Sequence, residues 1–127
     1  MNNKYKNLEL VSGEEGCIST GVDCKLTCDG KDLIEELGLC NIDWEISEKD
    51  GLIELYTNLG KGKIKINYPV KSITIYTKGF TIKSDNTSLG TKVYCNGEDI
   101  TSKWSISSLK YSVGDANTIS ELEMIVA

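Results

Sequence analysis

The chain has 127 residues and contains no histidine, no arginine and no glutamine. Without histidine it lacks an imidazole base, an imidazole metal ligand and the Ser-His and Cys-His pairs of nucleophilic enzymes. Without arginine it lacks the planar fork that binds phosphate or guanine through two parallel hydrogen bonds. All 14 basic residues are therefore lysines. We expect a protein that is not an enzyme, with no catalytic residues and no cofactor.

Long apolar segments are also missing. No apolar run approaches the roughly 18 residues that span a bilayer, and the first residues lack the charged-then-apolar pattern of a signal peptide. Hydrophobic residues make up 39% of the chain and charged residues 26%, which is typical of globular proteins. At roughly 100–200 residues per domain, residues 1–127 are expected to form a single domain with no membrane partner.

The five cysteines, an odd number, argue against a disulfide framework. Cys24 and Cys28 lie in a strictly alternating segment, so on a strand they share a face but stand about 13 Å apart. At that distance they can neither form a disulfide nor bind one metal ion together. We expect five reduced thiols, most of them buried, and no metal site.

Alternation of apolar and polar residues predicts a mainly antiparallel all-β fold. The predicted strands are 8–11, 22–28, 40–46, 52–57, 64–68 and 72–77, the last continuing through 80–82 past a bulge or bend at Gly79. One short helix interrupts this pattern. Asp32 is its expected N-cap, Glu35 stands at the capping-box position, and Gly38 can take the left-handed conformation that ends a helix.

The chain also repeats itself at an offset of 67 residues. Lys25–Leu33 aligns with Lys92–Ile100 without a gap, and further on Trp44 aligns with Tyr111. We expect two pseudo-repeated β units, at about 22–57 and 91–126, which pack as a β-sandwich with Trp44 and Tyr111 in matching core positions. A chance coincidence of common turn sequences is the alternative interpretation.

A Lys-rich β-hairpin at 58–84 is expected between the two units. Residues 55–84 hold six lysines and no acidic residue, whereas the rest of the chain holds 19 acidic residues and eight lysines. Alternation places three lysines on one side of a strand, and a tyrosine and a fourth lysine follow on the next strand. The expected binding residues are Lys61, Lys63, Lys65, Tyr76 and Lys78.

Three interpretations of these lysines remain open. They can protect a sheet edge from aggregation, bind an anionic partner, or dock onto acidic residues of a second copy. Nucleic acid is not expected as a partner, because the acidic remainder of the chain would repel a long polyanion.

The C-terminal unit resembles small proteins of phages and prophages of low-GC bacteria. The resemblance rests on Val93–Thr101, Ile106–Tyr111 and Ile119–Val126, which match a pattern of Asn-Gly-x-Asp-Ile-Thr followed by a strand, a turn and a terminal strand. It implies phage ancestry and a non-enzymatic role, and it carries no functional residues over to this chain.

Two functions follow as hypotheses. The first is an accessory protein in the host cytoplasm, such as an anti-defence factor that binds a host protein or sequesters a small anionic ligand. The second is a structural protein of the virion or its tail. Either could form a homo-oligomer.

Overall fold

The computed structural model describes residues 3–14, 24–47, 51–58, 62–114 and 120–126. These residues form short strands and one helix of five residues, α1 (Leu33–Leu37). The strands are β1 (Leu8–Ser12), β2 (Cys24–Cys28), β3 (Lys31–Asp32), β4 (Leu39–Ile46), β5 (Leu52–Thr57), β6 (Lys63–Ile66), β7 (Ser72–Thr77), β8 (Phe80–Ser84), β9 (Lys92–Cys95), β10 (Glu98–Asp99), β11 (Ile106–Val113) and β12 (Glu121–Val126).

The strands form two sheets. A seven-stranded sheet has the order β10-β9-β8-β7-β1-β2-β3, and a five-stranded sheet has the order β12-β11-β4-β5-β6. Neighbouring strands are antiparallel except β1 and β7, which are parallel. The prediction of a mainly antiparallel all-β fold is confirmed.

Both sheets contribute their apolar face to a single core. Trp44 on β4 lies directly opposite Tyr111 on β11, and each side chain is only 1% exposed. Each has a polar partner from outside its own sheet: the Tyr111 hydroxyl hydrogen-bonds to the Ser12 hydroxyl, and Trp44 Nε1 donates to Asn86 Oδ1 at 2.9 Å. Both aromatic rings therefore occupy the core positions that the sequence predicts.

Asn86 lies in the loop after β8 and connects three parts of the core. Besides accepting from Trp44, its Nδ2 donates to the carbonyl oxygens of Ile66 at 3.3 Å and Tyr68 at 3.0 Å. Its backbone is left-handed, with φ 73°, a conformation that asparagine tolerates better than most residues. The side chain is fully buried, so it fixes the place where the chain leaves β6 for the other sheet.

The helix α1 begins and ends at the predicted caps. Asp32 Oδ1 accepts from the backbone N–H groups of Ile34 and Glu35 at 3.0 and 3.4 Å. Gly38 follows the helix with φ 60°, in the left-handed region. These contacts satisfy N–H groups at the start of the helix and turn the chain into β4.

Several elements correspond at an offset of 67 residues. Leu39–Ile46 and Ile106–Val113 are strands of equal length. The turns at Asp29 and Asn96 have nearly equal φ values of 53° and 52°. Since β4 and β11 pair around Trp44 and Tyr111, the register relates the two strands by a twofold rotation through that pair. These facts support the two-unit repeat, which stays a prediction over its full length because 115–119 lie outside the described residues.

Two predicted features of the middle of the chain are wrong. Lys78 and Gly79 form the turn of a β7–β8 hairpin, so Gly79 is not a bulge within one strand. The Lys-rich segment 58–84 is not one hairpin, because β6 pairs with β5 in the five-stranded sheet while β7 and β8 belong to the seven-stranded sheet. The chain crosses between the sheets at 67–71, the segment that contains Pro69.

Candidate functional site

The predicted lysines that the structure describes do not form a row of positive charges without carboxylate neighbours. Lys63 and Lys65 lie on the outer side of β6, and Lys61 lies outside the described residues. Lys63 Nζ is 2.7 Å from Glu54 Oε2 on β5 and 5.5 Å from the centre of the Tyr56 ring. Its hydrogen bond to Glu54 raises the pKa of Lys63. Lys65 lies directly opposite the same glutamate.

The outer face of the five-stranded sheet is mostly acidic. It carries a groove of about 590 Å³, which we call the acidic groove, and Lys78 reaches it from the β7–β8 turn. The charged residues of the acidic groove are Asp43, Glu45, Glu54, Lys78, Lys110, Glu121 and Glu123. Carboxylates stand between and beside Lys63, Lys65 and Lys78, so the three lysines do not form a purely positive surface, and their role in binding stays a prediction.

Tyr76 lies on the outer face of the other sheet, part of which is rich in lysine and tyrosine. Strand register aligns one row of side chains across five strands of this face: Lys25, Val11, Thr74, Lys83 and Lys92. A second row lies beside it on three of these strands: Tyr76, Thr81 and Tyr94. We call these eight residues the basic face. The eight residues include lysines and tyrosines, and two carboxylates of the same outer face lie next to them, Glu9 on β1 and Asp99 on β10.

Two lysines of the basic face stand directly opposite each other. Lys83 on β8 pairs with Lys92 on β9, and both are exposed. Like charges in directly opposed positions destabilise a sheet. Neither lysine forms an ion pair with any carboxylate among the described residues. The pair thus places two positive charges side by side, with Asp99 near enough to interact with the charge of Lys92 but not within ion-pair distance.

The tyrosines complete this site. The Lys83 ammonium lies 5.9 Å from the centre of the Tyr94 ring. A shallow cavity of about 220 Å³ is lined by Tyr76, Thr81, Lys83, Tyr94 and Gly97. Gly97 has φ 84°, and its Cα borders open space. The cavity therefore offers two aromatic rings, three hydroxyl groups and one ammonium group to a small ligand, with Lys92 beside it.

One carboxylate lies at the border of this site. Asp99 on β10 is directly opposite Tyr94. Hydrogen bonds from Thr101 lower the pKa of Asp99, and the nearby charge of Lys92 lowers it further. Asp99 Oδ1 accepts from the Thr101 backbone N–H at 2.9 Å. The carboxylate is thus held by the turn after β10, and the lysines keep a positive balance.

Two of the described cysteines, Cys24 and Cys28, are poorly suited to act as reactive thiols. Burial raises the pKa of Cys24 to about 11, and Cys28 is shifted in the same direction for the same main reason. A thiol with a raised pKa is seldom the thiolate that nucleophilic catalysis requires. Cys24, Cys28, Cys40 and Cys95 form no disulfide, while Cys17 lies outside the described residues. No group of three cysteines or carboxylates in the described ranges is placed to hold a metal ion.

Sequence reasoning missed Lys83, Lys92 and Tyr94. Lys83 was visible as part of the basic segment, but Lys92 and Tyr94 stand in the second repeat unit, where alternation places them on an outer strand face. Only the β8–β9 register brings the three together. Two features of the sequence could have indicated this. Alternation in 92–95 places Lys92 and Tyr94 on the same side of a strand, and the loop after Ser84 allows that strand to pair with the preceding one as a hairpin.

No protein-family model, no curated protein and no solved structure matches this chain. Among the helices that the structure describes, none has the length and apolar character to cross a membrane.

Proposed function

We propose that the chain is a non-enzymatic binding protein for a small anion that carries a planar ring. The observation that supports this proposal best is the opposed pair Lys83 and Lys92 beside the two tyrosines of the cavity. An anion between the ammonium groups would relieve their repulsion. The ring of such a ligand would stack on Tyr76 or Tyr94, as aromatic side chains do with bases.

The composition of the site favours a compact anion. Lysine is a point charge with three rotatable donors, so it suits a phosphate or carboxylate without demanding a fixed two-point geometry. A cavity of about 220 Å³ is also small for a protein segment. The sequence leaves two partners open, a small anionic ligand and a host protein. For these reasons we favour the small ligand.

The biological role follows from the resemblance to phage proteins. A chain that binds an anion without transforming it would act by sequestering that anion in the host cytoplasm, as an anti-defence factor would. Its net charge of −5 would disfavour long nucleic acids, while the basic face would still attract a small ligand locally.

A calorimetric titration with three probes tests the proposal. Phenyl phosphate supplies both ring and charge, inorganic phosphate only the charge, and phenol only the ring. We expect phenyl phosphate to bind the full chain more tightly than either of the others. Its affinity should fall as salt is added, because the lysines are exposed and their charges are screened.

Variants locate the site. Replacing both Lys83 and Lys92 by serine should raise the Kd for phenyl phosphate at least about tenfold, and Tyr94→Ala should have an effect of similar size. Lys25→Ser is the control for the loss of one charge from this sheet face, because Lys25 lies outside the cavity and about 14 Å from Lys83. Equal affinity for phenol and phenyl phosphate, or unchanged binding by the double variant, would contradict the proposal.

A further inference from the structure

The five-stranded sheet ends in two strands that each have one partner among the described strands. β6 pairs only with β5, and β12 pairs only with β11. An edge strand of this kind carries unpaired backbone N–H and C=O groups, which can pair with a strand of another chain. The edges of the seven-stranded sheet, β3 and β10, have only two residues each.

The two edges of the five-stranded sheet are complementary in charge. Strand register places Lys63 and Lys65 of β6 on the outer face of the sheet, level with Tyr56 and Glu54 respectively. It places Glu121 and Glu123 of β12 on the same outer face, level with Ser112 and Lys110.

The alternate residues of both edges are apolar and point toward the core side. They are Ile64, Ile66, Leu122 and Met124. Each edge therefore shows two charges on one side and two apolar residues on the other, with opposite charges on the two edges.

We propose that β6 of one copy pairs in parallel with β12 of a second copy, so that the two five-stranded sheets become continuous. Successive strands from β12 to β6 are all antiparallel, so these two edge strands run in the same direction within one copy. A second copy that continues the sheet with the same face outward must then present β12 parallel to β6. This arrangement sets Lys63 beside Glu121 and Lys65 beside Glu123.

Other edge pairings lack this complementarity. Two β12 edges would bring glutamates together, and two β6 edges would bring lysines together, which is unfavourable across strands. β6 has only the four residues Lys63–Ile66, so this pairing covers the first four residues of β12 and leaves Ile125 and Val126, which are 52% and 50% exposed, beyond the end of β6.

The interface joins two different edges, so it does not close in a dimer. Each added copy leaves one free β6 and one free β12, which produces an open chain or a ring of copies. Such growth favours the virion or tail-associated role as the second candidate function. The proposed edge pairing does not depend on the anion site, because the basic face belongs to the other sheet.

Charge exchange between the edges tests the proposal. We expect the full wild-type chain to assemble beyond a dimer as concentration rises in sedimentation velocity runs. A β6 variant with Lys63→Glu and Lys65→Glu should lower the association constant at least about tenfold, and so should a β12 variant with Glu121→Lys and Glu123→Lys. Mixing the two variants should restore assembly, because each then offers the other an oppositely charged edge.

Restored assembly also shows that both variants are folded. The matched control is Glu35→Lys with Glu36→Lys, which changes the net charge as the β12 variant does but on the exposed side of α1. It should assemble like the wild type. A wild type that stays monomeric at millimolar concentration, an assembly that stops at a dimer, or two variants that do not restore each other would overturn the proposal.

Discussion

Asn86 shows how a single polar side chain can determine where two sheets meet. Its amide accepts from Trp44 and donates to two backbone carbonyls, all within the buried part of the molecule. The backbone carbonyl of Asn86 also accepts from Gly51 N–H at 2.9 Å, and a Cβ at residue 51 would overlap its side chain. The sequence predicts only a loop here, because nothing local reveals that the loop folds inward.

Replacing Asn86 by alanine should therefore destabilise the protein strongly. The change leaves the Trp44 indole N–H and two carbonyl groups without partners, and each buried unpaired group costs about 1–3 kcal/mol. We expect a loss of about 3 kcal/mol or more in the free energy of unfolding, measured by urea denaturation. Asn67→Ala, at an exposed position next to β6, should change it by less than about 0.5 kcal/mol. Similar values for the two variants would contradict the role of Asn86.

The buried thiol of Cys24 should make stability depend on alkaline pH. Its pKa is about 11 in the folded protein against an ordinary value of 9.0, mainly because burial disfavours the thiolate. The folded state thus holds the proton more tightly than the unfolded state. The resulting stabilisation is complete below pH 9 and is lost as pH rises from 9 to about 11.

Comparison of the wild type with Cys24→Ala isolates this effect, because the lysines and tyrosines that titrate in the same pH range are present in both proteins. The difference in unfolding free energy between the two proteins should shrink across that pH range. Parallel pH profiles would show that the folded state does not raise the pKa of Cys24.

At the scale of elements, strand positions were predictable, whereas the pairing of strands that are distant in sequence was not. Alternation located β1, β2, β4, β5 and β7 to within a few residues. Every second residue of a half-buried strand is apolar, so the local sequence alone shows the strand. Partner choice depends on packing between distant segments, which no local pattern contains. β6 therefore joined the sheet of β5 and not the strand that follows it.

The candidate site shows the same limit. Tyr76 was predicted from its own segment and lies in the cavity, whereas Lys92 and Tyr94 became part of the site only through pairing of β8 with β9. Lys63 and Lys65 were predicted as a positive surface, yet Glu54 on the neighbouring strand lies close to both. The charge of a sheet face depends on every strand in it.

The helix α1 provides the clearest local prediction. Asp32→Ala removes the acceptor of two backbone N–H groups and should lower the free energy of unfolding by about 1 kcal/mol. Glu36→Ala, on the exposed side of the same helix, is the control and should change it by less than about 0.5 kcal/mol. Thermal unfolding monitored by circular dichroism measures both. An Asp32 variant as stable as the control would contradict the capping role.

At the scale of the whole molecule, the two sheets differ in the charge of their outer faces: the five-stranded sheet is mostly acidic, whereas the seven-stranded sheet holds both lysines and carboxylates. The five-stranded sheet carries the acidic groove, and the seven-stranded sheet carries the basic face. A chain with a sequence pI near 4.8 can in this way offer an anion one local positive surface. The separation also allows the two proposed interactions to coexist, one on a face and the other on the sheet edges.

The central claim is that the basic face binds a small ring-bearing anion. The most direct measurement is the change in backbone amide NMR shifts while phenyl phosphate is added to the full chain. The account predicts saturable shifts concentrated at Thr81, Lys83, Lys92 and Tyr94, with little change around Glu54 and Ser112 on the opposite sheet. Shifts centred on the acidic groove, or no saturable shift at the basic face, would contradict it.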